Sequence, residues 1–163
     1  MVSDHKHPQD IFIQADGTEE YRDSWVVTSH ELLDGKHSGA VCVHADATFE
    51  IGERGHLAGS LRLQPGGTGR IAGKHSGSLH VGPGAVAEVT GDQSGSVHVD
   101  RGGLVRVQAG GKLAGSLHVA GIIENRGTRG GSVHMSDGHI RDLDGGVVKQ
   151  PTKRLDGTSY YSW

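Results

Sequence analysis

Short stretches of alternating hydrophobic and polar residues return along the chain at a nearly constant spacing. In Leu79-His80-Val81 the two aliphatic side chains lie on one face of an extended strand, and the histidine lies on the other. A second stretch follows in which Ala87 and Val89 share a face opposite Glu88. The pattern predicts two short β-strands in each unit, each with one buried and one solvent-facing side. Glycine-rich turns and corners, such as Gly91-Asp92-Gln93-Ser94, separate the strands.

The unit repeats around a pentapeptide of the type Gly-Ser-Leu-His-Val. Successive copies begin 20, 18, 18, 20 and 16 residues apart. The six copies occupy residues 39–43, 59–63, 77–81, 95–99, 115–119 and 131–135. A second motif, Gly-Lys-His-Ser-Gly, occurs at 35–39 and again at 73–77. This recurrence makes Ser24-Trp25-Val26-Val27 the predicted first strand of a seventh, degenerate unit.

A unit of this length is too short to close a hydrophobic core of its own, so it must bury its apolar face against its neighbours. The sequence therefore predicts an all-β fold, a single parallel β-helix (β-solenoid) of about six to seven turns with 16–20 residues per turn. The general preference of parallel crossovers predicts a right-handed coil. An antiparallel meander is the less favoured alternative, because it needs a reversal of direction between nearly identical units.

Stacking of the turns places equivalent residues about 4.8 Å apart in ladders along the axis. Three inward ladders are predicted to form the core. The first is Val41, Leu61, Leu79, Val97, Leu117 and Val133; the second is Val43, Leu63, Val81, Val99, Val119 and Met135; the third is Ile51, Ile71, Val89 and Val107.

Composition supports this architecture and narrows the class of protein. Hydrophobic residues make up 34% of the 163 and aromatic residues 4%, while glycine occurs 28 times, which suits slim ladders joined by tight corners. The net charge of −3 gives no basic surface for nucleic acid. The sequence shows no transmembrane segment and no secretory signal, so we expect a cytoplasmic protein. Cys42, the single cysteine, falls in an outward column and is expected to be exposed.

The two ends lack the repeat. Residues 1–23 are predicted to form an N-terminal extension or cap, in which Ile11-Phe12-Ile13 could add one strand. Residues 24–143 hold the solenoid repeats. Residues 144–163 end in Tyr160-Tyr161-Ser162-Trp163, and they form either a C-terminal aromatic cap or a flexible tail. A cap is favoured, since an open solenoid end exposes strand edges and core.

Four histidines take the same outward position in successive turns: His80, His98, His118 and His134. Such a column could bind zinc or a similar ion. A surface stack copied by repeat duplication is the favoured interpretation, because zinc needs ligands that converge on one point. We predict no metal site and no cofactor.

A second outward column carries Glu50, Arg70, Glu88 and Arg106, so that opposite charges alternate along the axis. Such pairs stabilise stacking modestly and help to fix register. The series reaches Glu124 and Arg141 if the shorter turns keep the same register.

No catalytic arrangement is evident in the sequence. The nearest acidic group, Asp137, Asp142 and Asp144, lies in a single turn without a recurring partner. Paired carboxylates perform acid–base chemistry only at a defined separation. We therefore predict a protein that is not an enzyme, and a carbohydrate-active or metal-binding β-helix is a less favoured interpretation.

The pattern Gly-Ser-Leu-x-Val, a glycine-rich turn and then x-Val-x-Gly resembles the repeats of bactofilins over about residues 24–143. The resemblance implies a bacterial, cytoplasmic β-helix that joins end to end without nucleotide, and hence a self-assembling scaffold. Its partner would be another copy of itself or another protein. The alternative is a discrete, capped protein-binding module such as an immunity protein that neutralises a toxin. The assembly state in solution would separate the two.

Overall fold

The structure, a computed structural model, describes residues 25–143 and 145–149 with their side chains. Beyond these residues it describes the backbone of four short strands: Gln9–Ile13, Glu19–Asp23, Lys153–Leu155 and Thr158–Tyr160. The central part is a β-solenoid of seven turns, and each turn gives one strand to each of three parallel, seven-stranded sheets. The predicted fold class is confirmed, with three strands per turn instead of two.

The strands of each sheet stack in chain order along the axis. Sheet 1 contains Trp25–Val27, Val41–Val43, Leu61–Leu63, Leu79–Val81, Val97–Val99, Leu117–Val119 and Val133–Met135. Sheet 2 contains His30–Leu33, Thr48–Ile51, Thr68–Ile71, Val86–Val89, Leu104–Val107, Ile122–Asn125 and His139–Asp142. Sheet 3 contains Lys36–His37, His56–Leu57, Lys74–His75, Asp92–Gln93, Lys112–Leu113, Thr128–Arg129 and Val147–Val148.

Sheet 3 is built from segments that the sequence predicted to be corners. Within 91–94, Asp92–Gln93 is a strand. The Asp92 N–H donates to the Gly73 carbonyl at 2.9 Å, and the Ser94 N–H donates to the His75 carbonyl at 2.9 Å. Equivalent corners of successive turns form backbone hydrogen bonds of this kind even when each strand is only two residues long. Two residues are too few to show an alternating pattern, so this sheet could not be predicted from hydrophobic periodicity.

All three predicted inward ladders are in register. Their inner members, such as Leu79 and Val97, are fully buried. The prediction is wrong about exposure at the last turn, where Val133 is 39% exposed and Met135 is 49% exposed. These two residues lie in the final strand of sheet 1, and no described strand stacks on its outer side.

The repeated glycines have two separate structural causes. A Cβ atom added to Gly77 would overlap the carbonyl oxygen of Gly59 in the turn below, so the pentapeptide glycine is required by close backbone approach. The turn that follows sheet 1 needs a left-handed residue, which is Gly84 in one turn (φ 73°). Asp46 takes the same conformation in an earlier turn with φ 62°.

The segments outside the solenoid form antiparallel pairs. Gln9–Ile13, which includes the strand predicted at 11–13, pairs with Glu19–Asp23 instead of joining a solenoid sheet. Lys153–Leu155 pairs with Thr158–Tyr160. Val147–Val148 is the last strand of sheet 3, although it lies within the predicted cap or tail. Tyr161 and Trp163 fall outside the described residues, so the capping role of this segment stays a prediction.

Candidate functional site

At the N-terminal end of the solenoid, Trp25 lies in the first strand of sheet 1 and packs against the core. Its indole N–H donates to Glu31 Oε2 at 2.9 Å, and the ring meets Phe49 edge-on with ring centroids 5.1 Å apart. The inward residues of this first turn are covered, with Val27 at 0% and Leu33 at 8% exposure. The inward residues at this end are therefore covered, and we call it the sealed end, although its first strands, like the last ones, pair on one side only within the described residues.

The C-terminal end is open by comparison. Besides Val133 and Met135, Val147 is 50% exposed and Val148 is 36% exposed. Ile140 is partly buried against the core between them. The last strand of each sheet pairs on one side only within the described residues, so its outer N–H and C=O groups are open to a further strand. We call the surface formed by Val133, Met135, Ile140, Val147 and Val148 the end face.

A polar brace lies beside the end face. The third inward ladder changes from Val107 to Asn125 and then to Asp142. Asn125 is fully buried; its side-chain N–H donates to Asp142 Oδ1 at 2.9 Å, and its Oδ1 accepts the Gly127 N–H at 3.0 Å. Arg129 donates to both oxygens of Asp142 at 2.9 and 2.8 Å. These hydrogen bonds from Arg129 hold the pKa of Asp142 below its usual value.

The predicted histidine column is confirmed as a continuous stack on the outer face of sheet 1. The rings of His80 and His98 have centroids 4.7 Å apart, those of His98 and His118 are 4.4 Å apart, and those of His118 and His134 are 4.6 Å apart. Neighbouring planes differ by 5°, 5° and 10°. In the preceding turn of the solenoid, Arg62 occupies the same outward position, next to His80.

Burial lowers the pKa of His80 and His98 below the usual histidine value. The positive charge of the neighbouring ring lowers it further in each case, and Arg62 adds to the effect at His80. Asp100 acts in the opposite direction on both. This part of the column is therefore uncharged near neutral pH.

Ring orientation in the column does not suit a shared metal ion. The lone pair of an imidazole nitrogen lies in the plane of its ring, and parallel rings more than 4 Å apart direct their lone pairs along parallel lines. A common ion would lie out of the plane of both rings. Within residues 25–143 and 145–149, no group of three His, Cys, Asp or Glu side chains is arranged to hold a metal ion.

The charged column on sheet 2 keeps its register as far as the last turn. In the strand register, Glu124 lies opposite Arg106 on one side and opposite Arg141 on the other. The predicted continuation of the series to Glu124 and Arg141 is therefore confirmed. Arg70 Nε lies 3.7 Å from Glu88 Oε2, and Arg106 Nε lies 3.4 Å from Glu124 Oε1. Glu and Arg therefore alternate in register along this outer face, and ion pairs join Arg70 to Glu88 and Arg106 to Glu124.

The expectation that Cys42 is exposed is wrong. Although it lies in the outward column below Arg62, only 3% of its surface is accessible. The side-chain N–H of Gln64 donates to its Sγ at 3.3 Å. Burial raises the pKa of the thiol, which disfavours the reactive thiolate.

Sheet 3 holds a buried polar pair that the sequence pattern did not reveal. His75 and Gln93 replace aliphatic residues in the inward column between Leu57 and Leu113. His75 Nδ1 lies 2.6 Å from Gln93 Oε1, and its Nε2 lies 2.8 Å from the Gly59 carbonyl oxygen. Burial lowers the pKa of His75, so the neutral ring donates to one of these two acceptors. The Lys-His corner, which occurs at 36–37 and again at 74–75, was the available signal in the sequence.

Two members of the acidic group near the C-terminal end serve different ion pairs. Asp137 pairs with Arg101, and Asp142 pairs with Arg129. Asp144, the third member, lies outside the described residues. The two described carboxylates are therefore each neutralised by their own arginine.

These features define a parallel β-solenoid repeat protein with register-matched ladders on its outer faces, one sealed end and one open end. No family model, curated protein or solved structure matches the chain. The β-helix architecture implied by the resemblance to bactofilins is confirmed, whereas the resemblance itself rests on the repeat pattern alone. No helix of the described residues is long and apolar enough to cross a membrane.

Proposed function

We propose that the protein is a non-enzymatic, bactofilin-like scaffold in which two copies associate through the end face. The observation that carries the proposal is the difference between the two ends of the solenoid. Val27, in register with the second ladder at its N-terminal end, is fully buried, whereas Met135, six strands further along the same sheet, is 49% exposed. Exposed aliphatic side chains beside open strand edges favour association.

A head-to-head pair fits this asymmetry better than a head-to-tail polymer. A head-to-tail contact needs two complementary ends, and the N-terminal end offers no matching apolar surface from Val27 and Leu33, which are buried. A two-fold symmetric contact needs only one open end, because both copies use the same surface. Across such a contact the edge strands Val133–Met135 would run antiparallel, an orientation in which their outer N–H and C=O groups can pair.

The chemistry of the end face suits a second copy of the chain. Val133, Met135 and Val148 would gain burial, each contributing at about 25 cal/mol per Å² of apolar area removed from water. Asp142 is already neutralised by Arg129, so its carboxylate would be buried as part of an ion pair. In such a dimer the outer faces of all three sheets would stay accessible to other proteins. A scaffold needs accessible surfaces of this kind.

Sedimentation of the full chain over a range of micromolar concentrations tests the proposal. We expect a dimer that Met135→Asp converts to a monomer, because the new carboxylate would have to lose its hydration in the contact. Leu32→Asp is the matched control: Leu32 is 55% exposed at the sealed end, and its substitution should leave the dimer intact.

Other assembly states would replace the proposal with a specific alternative. A full chain that stays monomeric, while the chain ending at Lys149 dimerises, would show that residues 150–163 cap the end face. That result would favour the discrete protein-binding module. Long polymers of the full chain would show that the N-terminal end also associates, and the head-to-head pair would be wrong.

A further inference from the structure

We propose that mild acidification weakens the association of the end faces through the histidine column of sheet 1. The inference rests on the proposed head-to-head contact and adds its regulation. The column and the end face meet in one strand: in Val133–Met135, His134 points outward as the last ring of the stack, while Val133 and Met135 belong to the end face.

A positive charge on any ring of the column would lie at short range from the next ring. Each ring has its neighbour 4.4–4.7 Å away, face to face, so no water layer separates adjacent charges. Arg62 extends the row with a permanent positive charge. Asp100 is the carboxylate that acts on His80 and His98, and it opposes the repulsion there. Asp137, in the turn that follows Val133–Met135, forms an ion pair with Arg101.

The last turn is the part of the stack that can yield to this repulsion. The strands Val97–Val99 and Leu117–Val119 pair with a neighbour on both sides, whereas Val133–Met135 pairs on one side within the described residues. The aliphatic side chains of the inner strands are fully or almost fully buried, but Val133 and Met135 retain 39% and 49% exposure. Val133–Met135 is therefore the least firmly held strand of sheet 1, and it is also the strand that contributes to the end face.

The pH range follows from the sign of the shift. For His80 and His98 the pKa is lowered in the folded protein, so the unfolded chain binds protons more readily. The neutral rings of His80 and His98 contribute their full stability above the usual histidine pKa of about 6.5, and this contribution fades as the pH falls below that value. Association should weaken over the same range.

The experiment measures the dimer dissociation constant of the full chain by sedimentation at about pH 7.5 and about pH 5.5, on either side of the usual histidine pKa. We expect the constant to rise about tenfold or more on acidification. The double variant His118→Gln and His134→Gln should lose most of this rise. His30→Gln with His56→Gln is the matched control, since it removes two histidines outside the column and should keep the full rise.

Hydrogen exchange at the same two pH values, corrected for intrinsic rates, identifies the mechanism. Protection of Val133–Met135 should fall on acidification relative to Val97–Val99, and less so in the column variant. If the column variant is misfolded by circular dichroism, His118→Gln alone serves in its place. A dimer whose constant rises equally in the wild type and the column variant overturns this inference and leaves the head-to-head contact standing. A full chain that is monomeric at both pH values overturns the contact and its regulation together.

Discussion

Arg129 and Asp142 form a two-pronged ion pair across the last two turns of the solenoid, with Nε to Oδ1 at 2.9 Å and Nη2 to Oδ2 at 2.8 Å. The same carboxylate receives a hydrogen bond from the buried amide of Asn125. The pair therefore ties sheet 2 to sheet 3 at the end where the apolar core is least covered.

Replacing Asp142 with alanine should lower the free energy of unfolding by about 1–2 kcal/mol at neutral pH, since charge-assisted hydrogen bonds are lost and Asn125 keeps fewer partners. The pKa of Asp142 is lowered in the folded state, so its contribution is present above the usual aspartate pKa and is lost as the pH falls through the lowered value. Urea unfolding of wild type and variant at neutral and strongly acidic pH checks this. An equal difference at both pH values would contradict it.

Leu79→Asp should be far more damaging than His80→Asp. Leu79 is fully buried between Leu61 and Val97, so an aspartate there would be an unpaired internal charge whose cost approaches the total stability of a domain, about 5–15 kcal/mol. An aspartate at position 80 would face solvent beside Arg62, and we expect a change of about 1 kcal/mol or less. Thermal unfolding of the two variants compares them directly. A more damaging substitution at position 80 would mean that the inside and outside of sheet 1 are reversed.

Replacing one member of the buried pair of His75 and Gln93 should lower the free energy of unfolding, and replacing both should restore most of it. Gln93→Leu leaves Nδ1 of His75 without its partner in a buried site and should cost about 1–3 kcal/mol. The double variant His75→Leu with Gln93→Leu extends the aliphatic column from Leu57 to Leu113 and should recover most of this loss. A double-mutant cycle from urea unfolding measures the coupling. Additive losses would show that the two side chains do not act as a pair.

Asp46→Gly should stabilise the protein by about 0.5–1 kcal/mol, because Asp46 holds a left-handed conformation at φ 62° that glycine adopts without strain. Gly84 has φ 73° in an equivalent turn, so Gly84→Ala provides the mirror control and should destabilise by a similar or larger amount. The melting temperatures of both variants, compared with that of the wild type, test these two expectations. A lower melting temperature for Asp46→Gly would indicate that the aspartate side chain contributes more than the strain costs.

The repeat and its ladders could be predicted from the sequence because they depend on local alternation. Leu79, His80 and Val81 show which side of a strand is apolar, and copies at a regular spacing show which residues stack. The same reasoning placed His134 in the histidine column and Glu124 in the charged column once the turns were aligned. Sheet 3 was missed, because a two-residue strand such as Asp92–Gln93 carries no periodic signal.

The sequence by itself thus determined the solenoid, its core positions and its outer columns, since each follows from the pattern within a single turn. Only the tertiary structure decided what covers a given position. Cys42 is buried despite its outward register, Val27 is covered at one end of the solenoid, and Met135 is exposed at the other end despite its inward register. The physical reason is that burial depends on the elements stacked against a residue, and at the ends of a solenoid the repeat pattern no longer specifies those elements.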